Sequence, residues 1–347
     1  MTSPIYSTNP WEKLNTYLSQ HQYSQIFVLA DHNTKQLCFP ILEEKLQLTQ
    51  LHIFSFEAGE SSKNLETAQD IWTSWLQGGI DRSSLVIALG GGVVCDIGGF
   101  CASLVWRGVD FIYIPTTLIG MVDAAIGGKN GINFLDFKNQ IGLYQEPKAI
   151  VVEPDFLLSL SQRHIKNGFV EMIKHSLIQS PSYYEDLLNL DWPVDVGNMD
   201  SWIRRSIRTK QEIVEADFKE KNVRKSLNFG HTIGHAIESY SLRYSCDLLH
   251  GECVALGMIA EAYISHKIYN WRPYVYDQVM TMLKKYAPPF HPDVEQTKFI
   301  METMRFDKKN SQRELRLSLL ESPGKPRWDI AVNHEVLQES LEYIQNL

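Results

Sequence analysis

Hydrophobic positions fall into two regimes along the chain. In the first, short β-branched runs at 25–30, 51–56, 85–89, 111–114 and 149–152 alternate with stretches of helical periodicity, among them 35–46 and 64–77. Strand, helix and strand at this spacing predict a mostly parallel sheet with helices on both faces. Beyond about residue 155, strand-like runs nearly vanish. Amphipathic stretches follow one another at 167–178, 202–215, 231–240, 251–269, 274–286 and 336–345, and only 314–320 alternates as a hairpin strand would. The pattern predicts an α/β domain over residues 1–155 and a mainly helical, all-α domain over 156–347. No internal repeat or low-complexity segment interrupts it.

Composition narrows the class. With 347 residues, 44% of them hydrophobic and 21% charged, the chain resembles an ordinary soluble protein with enough length for two cores. No apolar run approaches the roughly 20 residues of a membrane-spanning helix. The stretch from Met1 to Trp11 lacks the basic start and apolar core of a signal peptide, so a cytoplasmic enzyme is expected. A formal net charge of −8 argues against a nucleic-acid partner. The densest basic stretch, 219–225, is itself interrupted by Glu220 and Asn222. The five cysteines (Cys38, Cys95, Cys101, Cys246 and Cys253) show no paired ligand spacing and fit buried thiols in a reducing compartment.

Three stretches carry chemistry. Gly90-Gly91-Gly92 follows the apolar run 85–89 and precedes a helical stretch. Glycines there let backbone N–H groups approach a ligand, and a helix N-terminus behind them favours a pyrophosphate. The turn lacks the spacing of the dinucleotide fingerprint. Thr116 and Thr117 follow Pro115 at the end of the next strand, on the sheet edge where open α/β sheets bind ligands. The second stretch runs from Asp123 through Gly127-Gly128-Lys129 to Lys138-Asn139. Its glycines and lysines suit a phosphate or enolate oxygen.

The third stretch is the strongest chemically. Asn228-Phe229-Gly230-His231 leads to His235, so two histidines lie four apart on one helix face. Glu171 lies on an earlier helical stretch and His250 on a later one. One carboxylate with two or three imidazoles suits an open zinc site. Spacing alone makes ligands of both His231 and His235.

Seven segments in order, GGGVVCD, RGVDFIYIPTT, VDAAIGGK, KNQIG, GFVEMIK, LNFGHTIGHAIE and LHGE, resemble the 3-dehydroquinate synthase family over residues 31–309. The resemblance implies a Rossmann-like nucleotide-binding α/β domain, a helical metal-binding domain and a homodimer. It also implies NAD, zinc (or cobalt) and a sugar phosphate substrate, 3-deoxy-D-arabino-heptulosonate 7-phosphate, which cyclises to 3-dehydroquinate as phosphate is lost.

By that resemblance zinc is held by Glu171, His231 and His250, and His235 contacts the substrate phosphate instead. Lys129, Asn139 and Asn228 match other phosphate-side residues, and Arg107 matches an arginine supplied across the dimer interface. Lys174, Lys210 and Arg224 match residues that hold the substrate carboxylate and hydroxyls, while Asp123, Lys138 and Glu220 match polar residues of the same pocket. Either Lys308 or Lys309 takes a late phosphate contact. NAD falls to Asp31, Glu60, Lys63, Gly91, Gly92, Asp96, Thr116 and Thr117, with Lys129 and Lys138 counted on that side as well.

Cys95, Asn130, Ser159, Ser161 and His164 depart from the usual family residues, on the cofactor side. Competing expectations are a sister cyclase acting on another sugar phosphate, an NAD-dependent alcohol dehydrogenase, and a non-catalytic relative. The last would lack metal ligands or cations that this chain retains.

Overall fold

The computed structural model describes residues 9–46, 50–135, 137–179, 181–188, 190, 192–306 and 315–347. Two compact units emerge, Met1–Ile165 with Asp195–Ile207, and Lys166–Val194 with Arg208–Leu347.

The first unit opens with α1 (Pro10–Gln20), β1 (Ile26–Asp31), α2 (His32–Leu37), α3 (Phe39–Lys45), β2 (His52–Phe56) and α4 (Leu65–Gln77). There follow β3 (Leu85–Gly90), α5 (Gly92–Leu104), β4 (Asp110–Pro115), β5 (Lys129–Phe134), β6 (Phe137–Tyr144) and β7 (Ala149–Ile150). Five strands form a parallel sheet in the order β2-β1-β3-β4-β7. β3 is buried at every position, as expected of a central strand covered on both faces. These are the five strands that the apolar runs predicted. The helix expected over 35–46 instead breaks at Cys38 into α2 and α3. Pro40, with no N–H to donate, fits only the first turn of a new helix.

The antiparallel hairpin of β5 and β6 was not anticipated. Its strands pair Gly131 with Gly142, and a Cβ on Gly142 would stand 2.4 Å from the Asn130 carbonyl. Two facing glycines permit this approach, yet in sequence they read as loop. Buried Asn130 ties the hairpin to the sheet: its Nδ2 donates to the Gln145 carbonyl at 2.8 Å, and the Tyr113 hydroxyl donates to its Oδ1. Gly99 on α5 leaves the space that the Tyr113 hydroxyl occupies.

The later elements are α6 (Gln162–Gln179), α7 (Pro181–Leu188), α8 (Asp200–Ala216), α9 (His231–Tyr244), α10 (His250–Tyr269), α11 (Pro273–Lys284) and α12 (Val294–Phe306). The antiparallel pair β8 (Leu315–Ser322) and β9 (Lys325–Val332) precedes α13 (His334–Gln345). The strand expected over 314–320 is β8, of which residue 314 lies outside the described residues. Helix α10 is buried around most of its circumference, which makes it the core helix of the second unit.

Glycines set the approach of α9 to α10. A Cβ on Gly257 would come 2.0 Å from the Gly230 carbonyl oxygen and 2.7 Å from the Gly234 nitrogen. Gly230 itself caps α9 with φ +80°, a conformation that L side chains rarely adopt. At the head of α10, the Gly251 N–H donates to Asn167 Oδ1 on α6 at 2.5 Å. This packing brings the first turns of α9 and α10 against α6.

Gly257→Ala is expected to destabilise the protein by at least about 1–3 kcal/mol, the usual range for overpacking a filled interior, seen as a lower urea midpoint. Asn130→Ala strands the buried Tyr113 hydroxyl and removes the bond to the Gln145 carbonyl. It should cost about 1–3 kcal/mol for the buried hydroxyl left unpaired. A midpoint unchanged in either variant would contradict the packing described.

Candidate active site

The second unit gathers three side chains from three helices. Glu171 on α6 is fully buried. His231 and His250 are the first residues of α9 and α10, so the glycine contacts that set these helices also set the two rings. His250 Nε2 lies 3.3 Å from Glu171 Oε1, and His231 Nε2 lies 3.6 Å from the same oxygen. One ligand atom from each of the three residues falls within 4.8 Å of the others.

Each imidazole is oriented from behind. His231 Nδ1 faces the Phe229 carbonyl at 3.3 Å, and His250 Nδ1 faces Glu238 Oε1 at 3.0 Å. In the neutral ring a donating Nδ1 leaves the Nε2 lone pair directed at Glu171. His235, expected from spacing to join His231 as a ligand, instead groups with Glu238 and His250. Its Nε2 is 3.9 Å from Glu238 Oε2.

Charge explains how Glu171 stays ionised in the interior. Burial alone would raise its pKa, but the ammonium of Lys174, with help from His231 and His250, outweighs burial and holds it well below the usual carboxylate range. His231 is driven well below its ordinary value, by burial first and Lys174 next. His250 is partly buried, which by itself lowers its pKa. Glu238 and Glu171 overcome this and push it up to about 10.

Other sequence-named residues of this unit lie on α8, at Lys210, and in the stretch between α8 and α9, at Glu220, Arg224 and Asn228. Lys210 and Arg224 are buried. The Arg224 backbone N–H donates to Asp217 Oδ2 at 3.1 Å, and its Nη1 donates to the Phe218 carbonyl at 2.6 Å. Asn228 Nδ2 donates to Glu220 Oε1 at 2.6 Å. Asp217, which sequence reasoning missed, also accepts from the N–H groups of Lys221 and Asn222, and so organises the loop that presents Arg224. An aspartate directly after a helix and ahead of a basic loop is the signal that was available.

In the first unit, the residues expected at NAD lie at the carboxyl ends of β1, β3 and β4 or beside them, the usual binding edge of an open parallel sheet. Gly91 caps α5, and Thr117 Oγ1 accepts from the Gly120 N–H at 3.1 Å. Thr116 is buried, its N–H donating to the Gly90 carbonyl. The Asp31 carboxylate accepts from the Thr34 N–H at 2.8 Å and caps α2. Lys63 donates to Asp96 Oδ2 and to Asn139 Oδ1, each at 2.5 Å. Lys138 pairs with Glu60 at 3.3 Å. Asn133, absent from the expectations, joins these groups through Glu60 Oε1 and the Asn139 N–H. Lys129 and Arg107 are exposed, Arg107 with φ +66°, and Asp123 is half-buried in the turn Gly120–Ala124. Lys308 and Lys309 lie outside the described residues.

Sequence profiles described as "3-dehydroquinate synthase N-terminal" and "3-dehydroquinate synthase C-terminal" match residues 53–167 and 168–310. The chain belongs to the 3-dehydroquinate synthase family. A curated 3-dehydroquinate synthase of Parabacteroides distasonis is 39% identical over 334 residues, covering 95% of this chain and 94% of the relative. The fold is shared with a solved 2-deoxy-scyllo-inosose synthase complexed with carbaglucose-6-phosphate, NAD+ and Co2+ (TM-score 0.86, 24% identity, 99% and 96% of the two chains). It is equally that of ValA, a 2-epi-5-epi-valiolone synthase from Streptomyces hygroscopicus subsp. jinggangensis with NAD+ and Zn2+ bound (TM-score 0.84, 24% identity, 100% and 97%). The α/β and helical architecture is thus that of the family and its structural neighbours.

At the positions that the resemblance marks as departures, the structure gives several side chains local work. Cys95 is buried, with its thiol directed at the Gly90 carbonyl at 3.9 Å. Asn130 anchors the hairpin as described. Ser159 Oγ donates to the Phe156 carbonyl, and Ser161 Oγ accepts from the His164 N–H at the start of α6.

The donor set fits a divalent ion. Neither Glu171 oxygen has a hydrogen-bond partner of good geometry despite full burial. Two ligand atoms on a tetrahedral zinc stand about 3.3 Å apart, given bonds of about 2.0–2.1 Å, close to the observed 3.3 and 3.6 Å. With its raised pKa, His250 keeps its proton at neutral pH in the metal-free protein, whereas His231 is neutral and Glu171 ionised. Metal binding should therefore release about one proton and tighten as pH rises from 7 towards 10. Calorimetry in two buffers of different ionisation enthalpy measures this; an uptake with no proton released would refute the assignment of charge.

Proposed function

We propose that the chain converts 3-deoxy-D-arabino-heptulosonate 7-phosphate to 3-dehydroquinate and phosphate, through transient oxidation, phosphate elimination, reduction, ring opening and intramolecular aldol closure. The observation that carries this reading is the buried Glu171 carboxylate faced by two back-oriented imidazoles, in a member of the 3-dehydroquinate synthase family. Residues 1–155 form the NAD side, and residues 156–347 the metal and substrate side. The protein works as a homodimer in the cytoplasm.

Glu171, His231 and His250 hold the divalent ion, zinc or cobalt. When bound, NAD accepts and returns a hydride, and the ion lowers the pKa of the substrate alcohol. Lys174, Lys210 and Arg224 hold the substrate carboxylate and hydroxyls. Arg224 suits the task because its backbone and one guanidinium nitrogen are already fixed by Asp217 and Phe218, so little ordering remains on binding. Lys129, Asn139, Asn228 and His235 receive the phosphate with Arg107 from the second protomer, and Asp123, Lys138 and Glu220 complete the polar pocket. These cations position the leaving group and stabilise enolate charge. No carboxylate of the chain is given the general-base task, since the departing phosphate carries its own basic oxygens.

On the cofactor side, Asp31, Glu60, Lys63, Gly91, Gly92, Asp96, Thr116 and Thr117 bind NAD together with Lys129 and Lys138. The bare backbone of Gly91 and Gly92 at the head of α5 supports the pyrophosphate part of this reading.

Phosphate release from the heptulosonate phosphate should require both metal and NAD, yield dehydroquinate and leave no NADH behind. Turnover confined to another sugar phosphate would make the chain a sister cyclase, while NADH accumulating with a simple alcohol would make it a dehydrogenase.

A further inference from the structure

His250 sits between two buried carboxylates. Glu171 Oε1 lies 3.3 Å from its Nε2, and Glu238 Oε1 lies 3.0 Å from its Nδ1. Glu238 is 4% exposed and belongs to the same face of α9 as His231 and His235, at seven and three residues' distance. We infer that Glu238 is a positioning residue of the metal centre: it fixes the tautomer of His250 and strengthens that ring as a ligand. The inference rests on the metal site proposed above.

The two imidazoles are not equivalent. His231 leans on a peptide carbonyl, a neutral acceptor at 3.3 Å, whereas His250 leans on a carboxylate at a shorter distance. A carboxylate behind the ring stabilises positive charge on it, so the opposite nitrogen donates more strongly to a cation. The tautomer follows from the same bond. With the proton held at Nδ1 by Glu238, the lone pair at Nε2 points to Glu171; with the proton at Nε2, no ligand atom would be offered there.

The backbone of His250 is held by other groups. The Leu249 N–H donates to Glu252 Oε2 at 2.8 Å, and the Gly251 N–H donates to Asn167 Oδ1. Removing the Glu238 carboxylate therefore frees the His250 ring without freeing the turn that carries it. Glu238→Gln preserves shape and can still accept from Nδ1, though without charge. Glu238→Ala removes both.

Zinc affinity of the full-length protein, measured by competition with a chromophoric chelator, tests the inference, alongside metal stoichiometry and the absorption spectrum of the Co2+-loaded protein. Glu238→Ala should bind one ion about 10–100-fold more weakly, the usual effect of losing such a partner, with a shifted Co2+ spectrum. Glu238→Gln should recover part of that loss. Wild-type affinity in Glu238→Ala would overturn the inference. So would two ions per wild-type chain with one lost in Glu238→Gln, since Glu238 would then be a ligand, with His235, of a second ion. Failure of the wild-type chain to bind any ion would overturn the metal site itself, and is distinct from either result. If Glu238→Ala does not fold, the affinity of Glu238→Gln decides: equality with wild type refutes the role of the charge.

Discussion

The contact between α9 and α10 at Gly230, Gly234 and Gly257 governs the second unit. Side chains larger than hydrogen would hold two helices some 8–10 Å apart, and here backbone atoms meet directly. Because His231 and His250 start those helices, the distance between the rings is inherited from the distance between the backbones. A functional geometry set by glycine contacts in a rigid core is less adjustable than one set by loop conformations, and it is correspondingly well defined.

Around this contact the second unit buries many ionisable groups: Glu171, Lys174, Lys210, Arg224, Glu238 and Glu261 are all withdrawn from solvent. Such burial is costly unless charges are paired or hydrogen-bonded. The compensation is local. Lys174 pairs with Glu171, Glu238 with His250, and Glu261 Oε2 accepts from the Gly230 N–H at 2.6 Å. That last bond is structural in effect, since it fixes the left-handed residue that introduces His231. A core built only for stability would use apolar residues at these positions, so their presence marks the region as one shaped by chemistry.

Much of this was legible in the sequence, for identifiable reasons. The strands β1, β3 and β4 announce themselves because nearly every position in them is buried and their residues are therefore mostly apolar. The glycine turn after β3 is legible because strand, glycines and helix are consecutive. The hairpin of β5 and β6 is not, because its glycines are read as breakers until their partners across the ladder are known. Spacing placed His231 and His235 on one helix face correctly, yet could not say which ring would meet Glu171. That depends on α6 and α10, which are distant in sequence, and it is the family resemblance that put His235 aside. Glu238 lies within the motif LNFGHTIGHAIE and on the same face, so its periodicity was a usable signal, although its partner His250 is visible only after folding. Asp217 was signalled only by its place directly after α8 and ahead of a basic loop, whereas Asn133 acts through bonds to Glu60 and the Asn139 N–H that no pattern of residue types encodes.

The trio of Gly99, Tyr113 and Asn130 has a consequence for substitution. The hydroxyl of Tyr113 fills the space beside Gly99 and donates to Asn130, so none of the three sites offers an isolated choice to selection. A side chain at position 99 would collide with the Tyr113 hydroxyl, and a residue without an acceptor at position 130 would leave that hydroxyl unpaired. Positions 99, 113 and 130 therefore behave as one linked character, with the side chain at one site deciding which residues the other two tolerate.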